Sequence, residues 1–442
     1  MIKNGLTRRS VMAGTAAAGA LGLMGMPRLR ADVQWKKYAG TKLEAFLTKG
    51  PRADILQKYE KEFEALTGIK VSSEQVPEQQ HRQKAVIELT SGKPSFDVIQ
   101  LSYHVQKRQF EKANWLADFS KFIKDPNMNE PGLTESDFSA AGVRYAKNDK
   151  GEWHSLPTSV DYWIIYWNKE LFAKKGIAYP DTFDDLVKAA EALTDPKEGV
   201  YGFVGRGLRN ANVPVWSSFL LGYGGNFLDD KGNLLTDSPE AIEGAKLYQR
   251  LLTKSAPPGV AGFNWYECQA AFLQGKVAMW LDGVGFAPPL EDPQKSRIVG
   301  KVGYGLMPKG PKARASATFG DGIAVPEGSK NKEAGYLYCM WAVSKTMSTH
   351  LLQTGSGVPF RHSVLNDAEV RKGVKMPSAW VDAVAESAKV SALGLPVVIP
   401  VTEFRDIIGT ALTATLSGGD PATEMKKATE QFKPVLERSE KA

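Results

Sequence analysis

The chain has 442 residues, too many for one ordinary hydrophobic core, so two lobes are expected. Its formal charge is +7, but Lys3, Arg8, Arg9, Arg28 and Arg30 place five positive charges and no acid in the first 31 residues, which leaves +2 for the rest and no electrostatic reason to expect nucleic acid. Cys268 and Cys339 are the only cysteines, both in apolar helical patterns, and the five histidines lack metal-ligand spacing; two buried thiols and no metal site are expected.

Thr7-Arg8-Arg9-Ser10-Val11-Met12 is a twin-arginine pair followed by an Ala/Gly-rich apolar stretch to Met26, with a cleavage site near Ala31. Residues 1–31 therefore read as an export leader, which puts the mature protein in the periplasm. Residues 42–48 read as a strand, and 52–67 as an amphipathic helix with Ile55, Leu56, Tyr59, Phe63 and Leu66 on one side and Gly68 as its cap. A strand over 69–76, a helix over 79–91 and a strand over 96–101 complete a β-α-β-α-β run, the pattern of a parallel sheet. Ligands of such sheets lie beyond the carboxyl ends of the strands, which makes Gln79, Gln80 and Tyr103 candidate contacts.

From Trp153 a polar segment leads into an aromatic and β-branched strand, then a helix from about Lys169. Tyr162 and Trp163 point to opposite sides of that strand, so at most one faces a ligand. Thr182 and Asp185 stand at capping-box spacing before the next helix, and Ser238-Pro239 opens a long one. The stretch 263–286 is a helix, a stop at Gly275, and a strand ended by Asp282-Gly283; Trp265, Trp280 and Asp282 make it a candidate cleft wall. Short strands follow at 302–306 and 322–325, then a helix over 331–344, a loop over 355–363, and a mostly helical remainder broken at 395–400.

Four segments carry a resemblance: LPTSVDYWIIYWNKELF, PDTFDDLVKAAEAL, AAFLQGKVAMWLDG and GIAVPEGSKNKEAGYLYCMWAVSK. In this order and spacing the chain resembles bacterial extracellular solute-binding proteins of the maltose-binding-protein type, which capture sugars and polyols for ABC importers. The resemblance implies an α/β fold with two discontinuous lobes around a central cleft, 32–157 with 285–329 forming the first and 158–284 with 330–442 the second. It further implies hinge closure on a sugar or polyol, delivery to the permease subunits of an ABC transporter, a monomer, no cofactor and no catalysis.

On that reading Asp161 matches the acid before the crossing strand and Arg361 the Pro-x-Arg loop. Trp265, Trp280 and Trp216 are candidate stacking platforms, with Trp163 as a further ring. Asp321 lies between glycines that let a ligand approach the backbone, and Asp282 ends its strand. Many relatives carry an aromatic after the Gly of the return segment, where this chain has Val284 and Gly285; that departure favours a small ligand. Two alternatives stay open. Arg206, Arg209 and Arg361 would suit an acidic sugar or a phosphorylated polyol, and Asp161, Asp282 and Asp321 could serve a carbohydrate-cleaving enzyme. Gly205-Arg206-Gly207 is only a fragment of a dinucleotide fingerprint.

Overall fold

The computed structural model describes residues 33–441, apart from the side chains of Glu78, Gln79 and Lys441, so the expected twin-arginine leader and cleavage site lie outside the described residues. The strands are β1 (Lys42–Thr48), β2 (Lys70–Val76), β3 (Val98–Ser102), β4 (Leu156–Asn168), β5 (Met279–Gly283), β6 (Val302–Gly305), β7 (Ser316–Ala324) and β8 (Ser391–Leu393). β1 pairs in parallel with both β2 and β3, as the alternating pattern predicts. The helix Pro51–Thr67 starts on a proline, whose missing N–H costs nothing at that position, and ends on Gly68 in the left-handed region.

β4 decides the architecture. Its first half pairs antiparallel with β7, which pairs antiparallel with β3 and parallel with β8. Its second half runs between β5 and β6, antiparallel to both. One 13-residue strand thus belongs to two sheets and carries the chain from one lobe to the other. Val160 and Tyr162, Trp163, Ile164, Ile165 and Tyr166 are all buried, the apolar run of a strand covered on both faces, interrupted by the half-buried Asp161. The fold is the two-lobed α/β architecture of type II periplasmic binding proteins.

Residues 302–305 pair with the second half of β4. The helix Lys332–Ala342 packs on β7, β3 and the helix Pro51–Thr67. Gly335 makes that packing possible, because a Cβ there would stand 2.7 Å from Val325 Cγ2. The helices Pro239–Lys254, Val401–Leu416 and Pro421–Lys441 form a cluster of their own with Val213–Gly222. Cys268 and Cys339 are both free and buried.

His81 shows how the first lobe responds to acid. Its ring stacks on Phe46 at 4.2 Å and its Nε2 faces the Phe46 carbonyl at 3.4 Å, so the imidazole lies in the core with little room for charge. Burial pushes its pKa down to about 4. The unfolded chain takes up a proton near the ordinary value of about 6.5, so this contribution to stability is complete above that pH and is lost as pH falls toward 4. In urea denaturation across this window His81→Gln should lose less stability than the wild type, by on the order of 3 kcal/mol; parallel pH profiles would refute the burial effect.

Candidate ligand-binding cleft

β1 ends at Thr48, and the turn through Gly50 and Pro51 brings Arg52 into the first turn of the following helix, beyond the carboxyl end of the strand. On β7, Asp321 stands in register with Ser102 of β3 and Ser159 of β4. Asp161 lies two residues beyond Ser159 and so projects from the same face of β4. Arg52 joins the two acids: Nη2 donates to Asp161 Oδ2 at 2.7 Å, and Nη1 donates to Asp321 Oδ2. Ser102 Oγ donates to Asp321 Oδ1 at 3.1 Å. Burial works against the charge on Arg52, but Asp161 and Asp321 outweigh it and hold its pKa above the ordinary arginine value.

The opposite wall comes from the second lobe. Trp265 begins the helix Trp265–Leu273, behind a capping box in which Asn264 and Glu267 satisfy each other's backbone N–H groups. At the start of its helix the indole projects from the surface, 37% exposed, and stacks on Phe286 with centroids 5.1 Å apart and planes 20° from parallel. Between the walls, a Cβ on Gly285 would meet Asp161 Oδ1 at 2.7 Å, so the turn passes close to the carboxylate. The resulting cleft encloses about 480 Å³, lined on one side by 48–52, Gln100, Ser102, His104, Asp321 and the loop Gly355 to Gly357, and on the other by Trp265, Gly285 and Phe286, with Asp161 on the shared strand. Its volume falls within the range of small-molecule sites.

Of the candidates named from sequence, Asp161, Asp321 and Trp265 line this cleft. Arg361 lies in the core instead: Nε donates to Asp137 Oδ2 at 2.7 Å, Nη1 donates to Glu130 Oε1 and to the Val343 carbonyl at 3.0 Å. Trp216 is buried with its Nε1 donating to the Ala241 carbonyl at 3.0 Å, and Trp280 is buried against Tyr166 and Phe272. Tyr103 turns inward to stack on Tyr145 at 5.0 Å, its hydroxyl 2.8 Å from Ser155 Oγ. Asp282 is fully buried and held by Arg206. Trp163 is buried beneath Arg206 and against Phe319. Gln80 and Arg209 are exposed and are not among the described residues lining the cleft. The side chain of Gln79 lies outside the described residues.

Arg52 and Phe286 were missed by the sequence reading. Strand-end reasoning names residues after the second and third strands, whereas Arg52 follows the first, in the opening turn of its helix. Phe286 supplies a ring in the region where the return segment looked bare, because the turn Val284–Phe286 swings it back onto Trp265.

Two lobes joined by a shared strand, with charged groups facing aromatic rings across the gap, define a solute-binding protein. Residues 49–347 match the model of the bacterial extracellular solute-binding protein family, and the chain belongs to that family. A probable amino-acid ABC transporter periplasmic-binding protein of Sinorhizobium fredii is 27% identical over 370 residues, 81% of this chain and 83% of that protein. The erythritol/L-threitol-binding protein of Mycolicibacterium smegmatis is 24% identical over 400 residues, 82% of each chain. Among solved structures, an ABC transporter solute-binding protein from Agrobacterium radiobacter K84 in complex with ribitol superposes with a TM-score of 0.75 at 25% identity, covering 90% of this chain and 99% of that one.

Removing the Arg361 side chain leaves Asp137 and Glu130 without their shared partner in a buried setting. Arg361→Ala should therefore lower unfolding free energy by about 3 kcal/mol, measured by chemical denaturation, and Arg361→Lys should recover part of the loss. An unaltered denaturation midpoint in Arg361→Ala would contradict the structural role.

Proposed function

We propose that this chain is the periplasmic substrate-binding component of an ABC importer, and that it captures a polyol or a small sugar between its lobes and hands it unchanged to the permease. The observation that carries this reading is the Arg52 guanidinium held between Asp161 and Asp321, opposite the Trp265–Phe286 stack. Such a fork accepts hydrogen bonds from ligand hydroxyls on its carboxylate oxygens, and a ring wall takes the C–H side of the same solute. A ligand gripped by groups of both lobes favours closure, because only the closed form makes both sets of contacts. In this reading the lobes exchange within β4, between β6 and β7, and after β8, which assigns 302–305 to the second lobe and 316–393 mainly to the first.

An anionic solute fits less well. Two carboxylates around one guanidinium leave the fork with an excess of negative charge, while Arg206 and Arg361 are paired with acids of their own. The same bridging disfavours a glycosidase, whose two carboxyl groups must stand on opposite sides of a bond rather than share one cation.

Thermal shift and calorimetry against erythritol, ribitol, D-mannitol, monosaccharides, sugar acids and amino acids test the proposal, since a bound solute stabilises the folded state with the logarithm of its concentration over Kd. An alditol or neutral sugar should bind best, and Arg52→Ala and Asp161→Ala should each weaken it by about 2 kcal/mol, roughly 30-fold. Stabilisation only by a sugar acid or an amino acid would refute the ligand class. Export by the twin-arginine route is read from localisation: Arg8→Lys with Arg9→Lys should retain the protein in the cytoplasm, and normal periplasmic yield would refute that part.

A further inference from the structure

The Gly205-Arg206-Gly207 fragment has a role in this fold that no nucleotide is needed to explain. Val204 pairs with β5, its N–H donating to the Met279 carbonyl at 2.8 Å. Gly207 then lets the chain pass against Val260, since a Cβ there would lie 2.1 Å from the Val260 carbonyl oxygen. The arginine between them is directed under the cleft wall. Its Nε donates to Asp282 Oδ2 at 2.9 Å and Nη2 donates to Asp282 Oδ1, a two-pronged grip on a carboxylate with no exposed surface. Its guanidinium carbon lies 5.1 Å from the ring centre of Trp163 on β4 and 5.5 Å from that of Phe286.

Phe286 follows Gly283 and Gly285, and a Cβ on Gly285 would meet Asp161 Oδ1 at 2.7 Å, so the turn passes close to that carboxylate. The turn backbone is held by Tyr166 Oη donating to the Gly283 carbonyl at 2.6 Å, Trp380 Nε1 donating to the Val284 carbonyl at 3.1 Å and the Gln269 amide donating to the Phe286 carbonyl at 3.0 Å, while the Phe286 ring itself is placed by Trp265, Trp280 and Arg206. We propose that Arg206 is a positioning residue for ligand recognition: it ties the Phe286–Trp265 wall to the shared strand, and through that wall sets the cleft's preference for solutes that present a C–H face. The preference rests on the sugar or polyol reading; the tie itself does not. A lysine would keep a charge for Asp282 but has no planar group to contact two rings.

The test uses Arg206→Lys, Phe286→Leu and the double variant with two probes, D-mannose and D-mannitol, of which only the ring form offers a rigid C–H face. Each single variant should shift the ratio of the two dissociation constants against D-mannose by about fivefold or more, roughly 1 kcal/mol, and the double variant should add little to either. Additive shifts, or a uniform loss for both probes, would overturn the proposal, because a merely destabilised fold weakens both alike. Amide hydrogen exchange over 283–287 without ligand gives an independent answer: it should be at least about tenfold faster in Arg206→Lys. Unchanged exchange would overturn the tie. A wild-type chain that binds no member of the panel would refute the sugar or polyol reading alone.

Discussion

Everything in this molecule depends on one strand serving two sheets. β4 completes one sheet with its leading half, against β7, and forms the middle of another with its trailing half, between β5 and β6, so a single strand holds the two together. Asp161 sits near the changeover, where Tyr162 still faces β7 and Trp163 already faces β5. A charge placed there belongs to neither rigid body alone. Arg52 of the first lobe holds it from one side, and Gly283 and Gly285 of the second lobe close against it from the other.

Much of the local structure was legible in the sequence because its causes are local. Thr182 caps its helix by accepting from the Asp185 N–H at 3.2 Å, and Ser238 caps the long helix that begins at Pro239, as the residue patterns predict. The alternation of strands and helices gave the parallel β2-β1-β3 order for the same reason. β7 was harder. Only 322–325 reads as a strand, yet Ser316–Ala324 is extended throughout, because pairing with β3 and β4 overrides the poor strand propensity of Gly320, Asp321 and Gly322. Those glycines are close-approach positions: a Cβ on Gly320 would strike Phe360, and one on Gly322 would strike Tyr103.

The site was legible only in part, and the failures have a common origin. Arg361 looks like a ligand residue until its partners Glu130 and Asp137 are seen, more than 220 positions earlier in the chain. Sequence spacing cannot reveal an ion pair of that range. Tryptophans pose the same difficulty, since Trp216 and Trp280 are fully buried whereas Trp265 reaches the cleft only because it opens its helix. Charge and ring content show what a site could be made of; topology decides which groups meet. Here it brings together two acids and one guanidinium from three separate parts of the chain, facing a ring pair from a fourth.

The central claim is mechanical: two lobes rotate about β4 and close on a small hydroxylated solute. Small-angle X-ray scattering with and without a saturating concentration of the tightest-binding alditol or sugar tests it most directly. A reduced radius of gyration on binding, which in Asp161→Ala takes roughly 30-fold more ligand to reach, is the predicted result. Superimposable scattering curves for the free and the saturated protein would contradict it.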